Sequence, residues 1–347
     1  MSRDTRRLYL DESLGEARGV VQLDGRPERL LIVRDGDLPV QQAGAAAVAR
    51  VRRIERGLST AFLDLGQGPD AVLPLSGPHS AISEGQAVAV EIVAPARRAK
   101  GAVARMLGPQ FGEPRLLTPG PTLAERLQAF APGQAIVRGE DARDAADEAE
   151  EAVLAVEHPL GGGASLAIEP TRGLIAIDVD VGGAGGGDAR RGAGRVNRLA
   201  LDEGARLLRL KALGGLVVFD LAGGGQDGPV LLEAAKRAFA PDMPGVVFGP
   251  VTRMGTFQLT LPWRARPAGE ILGDTDGRPS ALTVALRLAR AVEREARGCT
   301  RVQAYCAPEV AQAMQTVERF LVARIGARFD IQGDPARGRA DFETKPR

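Results

Sequence analysis

Two short apolar runs frame the middle of the chain, at residues 173–178 (Gly-Leu-Ile-Ala-Ile-Asp) and 214–220 (Gly-Gly-Leu-Val-Val-Phe-Asp). Continuous runs of branched apolar residues are typical of strands that are buried on both faces. Between them, small and apolar residues recur at helical spacing, at Val196, Ala200, Gly204, Leu207 and Leu208. Basic residues fall mostly on the other side of this helix, at Arg195, Arg198, Arg206, Arg209 and Lys211. A strand, a helix and a strand within roughly 45 residues form a βαβ unit, so the pattern predicts two parallel strands in one sheet.

Each apolar run ends in an aspartate, Asp178 in the first and Asp220 in the second, and Asp180 follows shortly after Asp178. Neighbouring strands lie about 5 Å apart, so these two carboxylates are predicted to be close enough to hold one cation. Ligands of such sheets bind beyond the carboxyl ends of the strands. The pattern therefore indicates a hard metal ion that acts on a phosphate. The alternative interpretation is that each aspartate only caps a helix or completes a turn.

Short segments separated by Gly and Pro fill the first third of the chain. They predict five strands, at residues 48–54, 59–65, 71–75, 87–93 and 102–107. Five strands in roughly 65 residues fit a small closed barrel, of which the OB-fold is the commonest kind. Such barrels bind nucleic acid through exposed aromatic residues on one face. Phe62 is the single aromatic residue of these segments, and a core position explains it equally well.

The segments on either side of the predicted barrel predict individual strands and helices. Residues 7–35 are expected to form two strands around a turn at Asp24-Gly25. Residues 109–135 are expected to be a connector with one helical turn, and residues 140–156, which are rich in Ala and acidic residues, a solvated helix. His158 is placed in the turn that follows, with a structural role.

The Gly-rich segment at residues 182–194 leaves the sheet edge where Asp178 is expected, and it carries Arg190 and Arg191. These guanidiniums are candidates for contact with a phosphate chain, although a disordered crossover explains the segment equally well. Its spacing does not match a nucleotide P-loop. Arg253 stands between the last two predicted strands of the sheet, where it is expected to face the metal edge.

Composition narrows this interpretation only slightly. The 347 residues allow two or three domains, and a net charge of +1 requires any polyanion site to be local. Two cysteines, Cys299 and Cys306, fit a reducing compartment and no disulfide framework. No apolar run of membrane length and no secretory signal is evident, so a soluble cytoplasmic protein without a membrane partner is expected.

Several of these stretches together resemble the ribonuclease E/G family of bacterial endoribonucleases. The stretches similar to the family's two metal-carboxylate motifs and to a further signature are residues 174–180, 210–220 and 252–255. The barrel resembles the family's RNA-binding OB domain at residues 59–65, 73–75 and 99–101. Residues 281–347 are similar to its small C-terminal domain.

The resemblance implies a site and a substrate. Asp178 and Asp220 would bind Mg²⁺, with Mn²⁺ as a substitute, and Phe62 and Lys100 would contact single-stranded RNA. The chain departs from the family at Asp180, where asparagine is usual, so an additional carboxylate either orients a ligand or binds the cation itself. A second aromatic residue of the barrel is replaced by Val72. The family's zinc-binding cysteine pair is absent from residues 269–280, so no zinc is expected and any homo-oligomer would form without a zinc link.

The region that senses 5′-monophosphate ends in this family is much shortened. Arg138 matches the sensor arginine, but Gly139 replaces its threonine partner and Gly245 replaces another sensor arginine. The sequence therefore does not predict a preference for 5′-monophosphate ends.

The fold class expected from these observations is α/β with an N-terminal all-β barrel. The expected divisions are an N-terminal β segment (residues 1–35), an OB-fold RNA-binding domain (36–108), a connector with a reduced sensor region (109–158), a deoxyribonuclease-like α/β catalytic domain (159–268), a linker (269–280) and a small α+β domain (281–347). The expected activity is a Mg²⁺-dependent endoribonuclease that leaves 5′-phosphate and 3′-hydroxyl ends, with Arg138, Arg190, Arg191 and Arg253 as further RNA contacts. A catalytically weak or inactive RNA-binding protein is the principal alternative, and a small-molecule phosphohydrolase is a third.

Overall fold

The computed structural model describes residues 5–75, 82–97, 100–182, 189–223, 227–274 and 276–347. Its architecture is mixed α/β, with a closed five-stranded barrel near the N-terminus. Over the described residues it has seven α-helices, at Leu123–Phe130 (α1), Glu140–Leu154 (α2), Ala189–Leu210 (α3), Gly228–Ala238 (α4), Ala268–Leu272 (α5), Ala281–Glu295 (α6) and Pro308–Ile325 (α7).

The N-terminal strands form a small sheet. Its sequential strands are Arg6–Ser13 (β1), Glu16–Leu23 (β2) and Arg26–Arg34 (β3), and Ile136–Val137 (β10) pairs with β1 in parallel. The expected two strands are therefore three. The turn at Asp24-Gly25 is present, and another turn, at Leu14-Gly15, also has positive φ angles (54° and 85°). Because leucine rarely adopts this left-handed conformation, the sequence did not indicate a turn at Leu14-Gly15.

The barrel consists of five strands, Ala46–Glu55 (β4), Thr60–Asp64 (β5), Ala71–Pro74 (β6), Ala87–Ala94 (β7) and Val103–Pro109 (β8). Their order, β5-β6-β8-β7-β4, closes through the β4–β5 pairing, which confirms a closed five-stranded barrel. Alternation buries small and aliphatic side chains inside, such as Ala49, Leu63 and Val90. A further strand, Arg115–Thr118 (β9), pairs with β4.

The connector is more ordered than expected. It holds β9 and the two-turn helix α1, which begins with a capping box: the Thr122 hydroxyl accepts from the Glu125 N–H while the Glu125 carboxylate accepts from the Thr122 N–H. Leu123 and Leu127 of α1 pack with Leu8 and Val21 of the N-terminal sheet.

Helix α2 is not the solvated helix that its composition suggested. Ala142, Ala145, Ala146 and Ala149 form a buried stripe at helical spacing, and the Glu150 side chain is buried as well. Alanine methyl groups make a weak apolar signal, which is why the sequence reading underestimated this face.

The buried charges of α2 belong to a cluster that we call the ion-pair junction, formed by Asp11, Glu16, Arg18, Arg143, Glu150 and Arg290. It joins the N-terminal sheet, α2 and α6. Arg18 is fully buried and contacts Asp11 at 2.6 Å and Glu150 at 2.9 Å. Buried charges of this kind are tolerated only when they are paired and hydrogen-bonded.

The central sheet has six strands, Glu157–Gly161 (β11), Ala164–Pro170 (β12), Ile175–Asp180 (β13), Gly215–Asp220 (β14), Val247–Val251 (β15) and Thr256–Leu261 (β16). Their order is β11-β12-β13-β14-β16-β15. Strands β13 and β14 are parallel neighbours joined by α3, as predicted, and the other pairs are antiparallel. His158 lies within β11 and is buried, so its expected position in a turn is wrong.

Helix α3 covers one face of this sheet and also contacts β3, so its second side is less exposed than expected. Arg209 on that side pairs with Glu28 and Asp242. The Lys211 ammonium, just after α3, donates to the carbonyls of Val153 and Ala155 at the end of α2. These basic side chains serve packing between elements.

The C-terminal residues follow the order helix, strand, helix and then two strands. The strands are Val302–Cys306 (β17), Phe329–Gly333 (β18) and Phe342–Pro346 (β19), in the order β18-β17-β19. No helix within the described part of the chain is long and apolar enough to cross a membrane.

Candidate active site

The face of the central sheet that lies opposite α3 carries the predicted aspartates. Along β13 and β14 the buried residues are Ile175, Ile177, Val179, Val217 and Phe219. Side chains alternate between the two faces of a strand. Asp178, Asp180 and Asp220 therefore point to the other face, and all three are exposed. We call this second face the open face.

The register brings two of these aspartates together. Asp178 is the direct partner of Asp220 in the parallel β13–β14 ladder. Their Cα atoms are therefore about one strand spacing apart, roughly 5 Å. Asp178 is not the last residue of its strand, because β13 continues to Asp180. The pair consequently lies on the open face near the carboxyl ends of the strands.

Asp180 has a local partner. It is two residues from Asp178 on the same face, and its Oδ1 accepts a hydrogen bond from the Gly182 N–H at 2.9 Å. Among the described residues, no three His, Cys, Asp or Glu side chains lie close enough together to hold a metal ion. In this arrangement Asp180 holds the start of the following loop.

The donor set of the Asp178–Asp220 pair fits a hard divalent cation. Ionised carboxylates are acceptor-only oxygen ligands. Mg²⁺ is usually held by one or two carboxylates and keeps several waters or substrate phosphate oxygens in its remaining positions. Two exposed carboxylates on adjacent strands meet this requirement.

The neighbours of the pair on the open face are small or polar. Ala167 of β12 is opposite Asp178, and Thr256 of β16 is opposite Asp220. The Thr256 hydroxyl is 2.8 Å from the Thr252 hydroxyl, so it is already engaged. Glu169, which the sequence reading did not single out, shares the face diagonally from Asp178. Alternation along residues 164–170 was the signal for it.

A buried asparagine fixes the loop that follows Asp220. Asn197 of α3 is fully buried; its Nδ2 donates to the Ala222 carbonyl at 3.0 Å and its Oδ1 accepts from the Ala222 N–H at 2.9 Å. On the other side, the Leu221 N–H donates to the Gly255 carbonyl at 3.0 Å. The sequence reading missed Asn197, although an amide within an apolar helix face was a usable signal.

Arg253 lies in the turn between β15 and β16, as expected from the sequence. This turn contacts the loop after Asp220 through Gly255, and Arg253 itself is exposed. Arg190 and Arg191 lie in the first turn of α3, and their side chains are outside the described part of the structure.

The barrel holds Phe62 on its outer surface and not in its core. Its neighbours Ala61 and Leu63 are buried inside, whereas Phe62 is half-buried, with the Arg53 guanidinium 4.6 Å from its ring centroid. Val72 is its cross-strand partner. Lys100 is exposed in the loop before β8. The nearby Arg97 guanidinium stacks on Trp263 at 3.8 Å from the ring centroid, which ties this loop to the end of β16.

Three positions correspond, by the resemblance, to a 5′-end sensor: Arg138, Gly139 and Gly245. Arg138 forms an ion pair with Glu12. Gly139 and Gly245 have φ angles of +83° and +106°, a region that favours glycine. A threonine or arginine at these positions would be strained in this backbone.

The comparisons with known proteins fall on the central part of the chain. Residues 138–264 match the family described as the ribonuclease E/G family. A ribonuclease E/G-like chloroplastic protein of Arabidopsis thaliana is 32% identical over 128 residues, which cover 35% of this chain and 13% of that relative. The matched stretch contains the Asp178–Asp220 pair, Asn197 and Arg253, and it excludes the barrel.

Proposed function

We propose that this protein is a divalent-cation-dependent endoribonuclease acting on single-stranded RNA. The match of residues 138–264 to the ribonuclease E/G family supports this proposal. The observation that carries the proposal is the register of Asp178 and Asp220, which are direct partners on an exposed sheet face. The two carboxylates would hold Mg²⁺, or Mn²⁺ in its place.

The proposed reaction is hydrolysis of an internal phosphodiester. A water oxygen forms a bond to phosphorus, the P–O3′ bond breaks, and the departing 3′ oxygen takes a proton. The products are a 5′-phosphate and a 3′-hydroxyl. When bound, the cation supplies a water of lowered pKa and neutralises charge on the scissile phosphate.

The protein's own residues contribute position and charge. The open face carries Glu169, Asp178, Asp180 and Asp220, so it repels RNA unless cations are present. RNA attraction must therefore come from elsewhere. We assign it to Phe62 and Lys100 on the barrel, which we interpret as an OB-fold, and to Arg253 beside the loop after Asp220, with Arg190 and Arg191 as further candidates.

Arg138 is a weaker candidate for RNA contact, because Glu12 neutralises it. Together with Gly139 and Gly245, this favours a nuclease that does not depend on a 5′-monophosphate end. A cytoplasmic location, and an oligomeric state without a zinc link, remain predictions.

The test compares cleavage of an unstructured RNA in Mg²⁺ by the wild type and by Asp178→Asn and Asp220→Asn. Substitution of a residue that only supports a metal ligand typically lowers metal affinity or activity by roughly 10–100-fold. We therefore expect each of these variants, which lose a ligand itself, to lose at least about 100-fold in kcat/KM. Both variants should retain RNA binding.

Asp180→Asn is the matched control. An asparagine Oδ1 can accept the same hydrogen bond from Gly182, so this variant should cleave at close to the wild-type rate. Equal cleavage by the wild type and the Asp178 and Asp220 variants would refute the site. RNA binding without cleavage by the wild type in any divalent cation would instead favour the RNA-binding alternative.

A further inference from the structure

Gln258 is an uncharged polar residue of the open face, on the strand next to Asp220. Asp180 is engaged by Gly182 and Thr256 by Thr252. Gln258 of β16 is exposed on the same face, and its side-chain amide makes no hydrogen bond within the described part of the structure. Within the described part of the structure, the Gln258 amide is therefore available to a bound substrate.

The register places Gln258 next to the aspartate pair. Thr256 is opposite Asp220, and Gln258 is opposite Val218, one row along the same antiparallel ladder. Gln258 is therefore a diagonal neighbour of Asp220, at roughly 7–8 Å between backbones, which is within reach of a long side chain. A substrate phosphate held at Asp178 and Asp220 would bring its adjoining sugars over Gln258.

The chemistry of the amide selects among the groups that an RNA strand presents. A phosphate only accepts hydrogen bonds, so it would pair with the amide NH₂ and leave the amide carbonyl unpaired. A ribose 2′-hydroxyl both donates and accepts, and glutamine offers a carbonyl acceptor and an NH₂ donor side by side. Gln258 is also uncharged, so it approaches the ribose without competing for the cation. The 2′-hydroxyl is the group by which a protein distinguishes RNA from DNA at a given position.

We propose, on the basis of the function proposed above, that Gln258 is a specificity residue that hydrogen-bonds the 2′-hydroxyl of a nucleotide adjoining the scissile phosphate. It contributes to the choice of RNA over DNA and takes no part in holding the cation.

The experiment combines a protein variant with a substrate variant. A short unstructured RNA with one mapped cleavage site is prepared as the all-ribose form and with single 2′-deoxy substitutions at each nucleotide flanking that site. The wild type should lose about 3–10-fold in kcat/KM at one deoxy position, the range typical of one exposed hydrogen bond. Gln258→Leu should lose the same factor on the all-ribose RNA and lose nothing further at that position.

Thr260→Val is the matched control, since Thr260 lies on the same strand and face, one row further from Asp220. It should keep the wild-type sensitivity to the deoxy substitution. If Gln258→Leu also keeps that sensitivity at every position, the proposal is wrong.

A binding arm separates this inference from the proposed activity. The affinities of the all-ribose and singly deoxy RNAs are measured in Ca²⁺ for Asp220→Asn, with and without Gln258→Leu. If the wild type does not cleave RNA, the nuclease proposal is wrong, but the inference about Gln258 is still tested by binding. A ribose preference in binding that disappears with Gln258→Leu would support the inference in that case, and a preference unchanged by the substitution would overturn it.

Discussion

The open face and the ion-pair junction use the same kinds of residue in opposite ways. At the junction, Asp11 and Glu150 are buried, and the fully buried Arg18 contacts both of them within 3 Å. On the open face, Asp178 and Asp220 are exposed, and no cationic side chain pairs with either within the described ranges. Carboxylates that the protein has neutralised hold elements together, whereas carboxylates left without a cation remain available for one from solution.

The strongest test of this contrast is a substitution at the junction. Arg18→Met removes the charge and leaves Asp11 and Glu150 buried with fewer partners, so we expect the free energy of unfolding to fall by about 3–5 kcal/mol. Urea unfolding monitored by circular dichroism measures this loss.

Two further variants are the controls for Arg18→Met. Arg52→Met removes an exposed partner of Asp64, and a pair of this kind contributes about 0–1 kcal/mol. Asp178→Asn should also leave stability nearly unchanged, because its carboxylate has no hydrogen-bond or ion-pair partner among the described residues. A destabilisation of Arg52→Met as large as that of Arg18→Met would remove the distinction between the two regions.

The junction also shows what the sequence could not predict. Arg18 reaches Glu150 across 132 residues of sequence, and Arg290 reaches it across 140. No local pattern reports such pairs, so α2 seemed to be a solvated helix. In contrast, the apolar runs at residues 173–178 and 214–220 were visible as short continuous stretches, and the βαβ unit with adjacent Asp178 and Asp220 followed from them.

The same reasoning explains the smaller differences at the site. Gln258 lies on a strand that pairs with β14, which is distant in sequence, so its place next to Asp220 depends on a register that no local pattern reports. Phe62 could not be assigned to core or surface from alternation alone. The closed barrel decides it, because Ala61 and Leu63 occupy the interior positions on either side.

A second prediction concerns His158, a buried titratable group of β11. Burial, and then repulsion by Lys211, lower the pKa of His158 to about 4 from its ordinary 6.5. Between pH 6.5 and pH 4 the unfolded chain therefore binds more protons than the folded one, so stability is lost as the pH falls. The full difference corresponds to about 3 kcal/mol.

His158→Leu isolates this contribution. Above pH 6.5 both proteins should show the same slope of unfolding free energy with pH. Between pH 6.5 and 4 the wild type should lose about 3 kcal/mol more than the variant, measured by urea unfolding at each pH. Parallel curves over the whole range would show that His158 titrates normally in the folded protein.

The last prediction concerns Asn197, which holds the loop after Asp220. This buried amide uses both of its groups on the Ala222 backbone, so Asn197→Ala removes both of these hydrogen bonds, at a cost of about 1–3 kcal/mol. Because Ala222 follows Asp220 by two residues, the loss should also move the Asp220 carboxylate and reduce kcat/KM. Arg198→Ala, at the next and exposed position of α3, should change neither quantity. If Asn197→Ala lowers stability while the Mg²⁺ dependence and rate of RNA cleavage stay at the wild-type values, then Asp220 is positioned by its strand alone, and the open face is independent of the packing behind it.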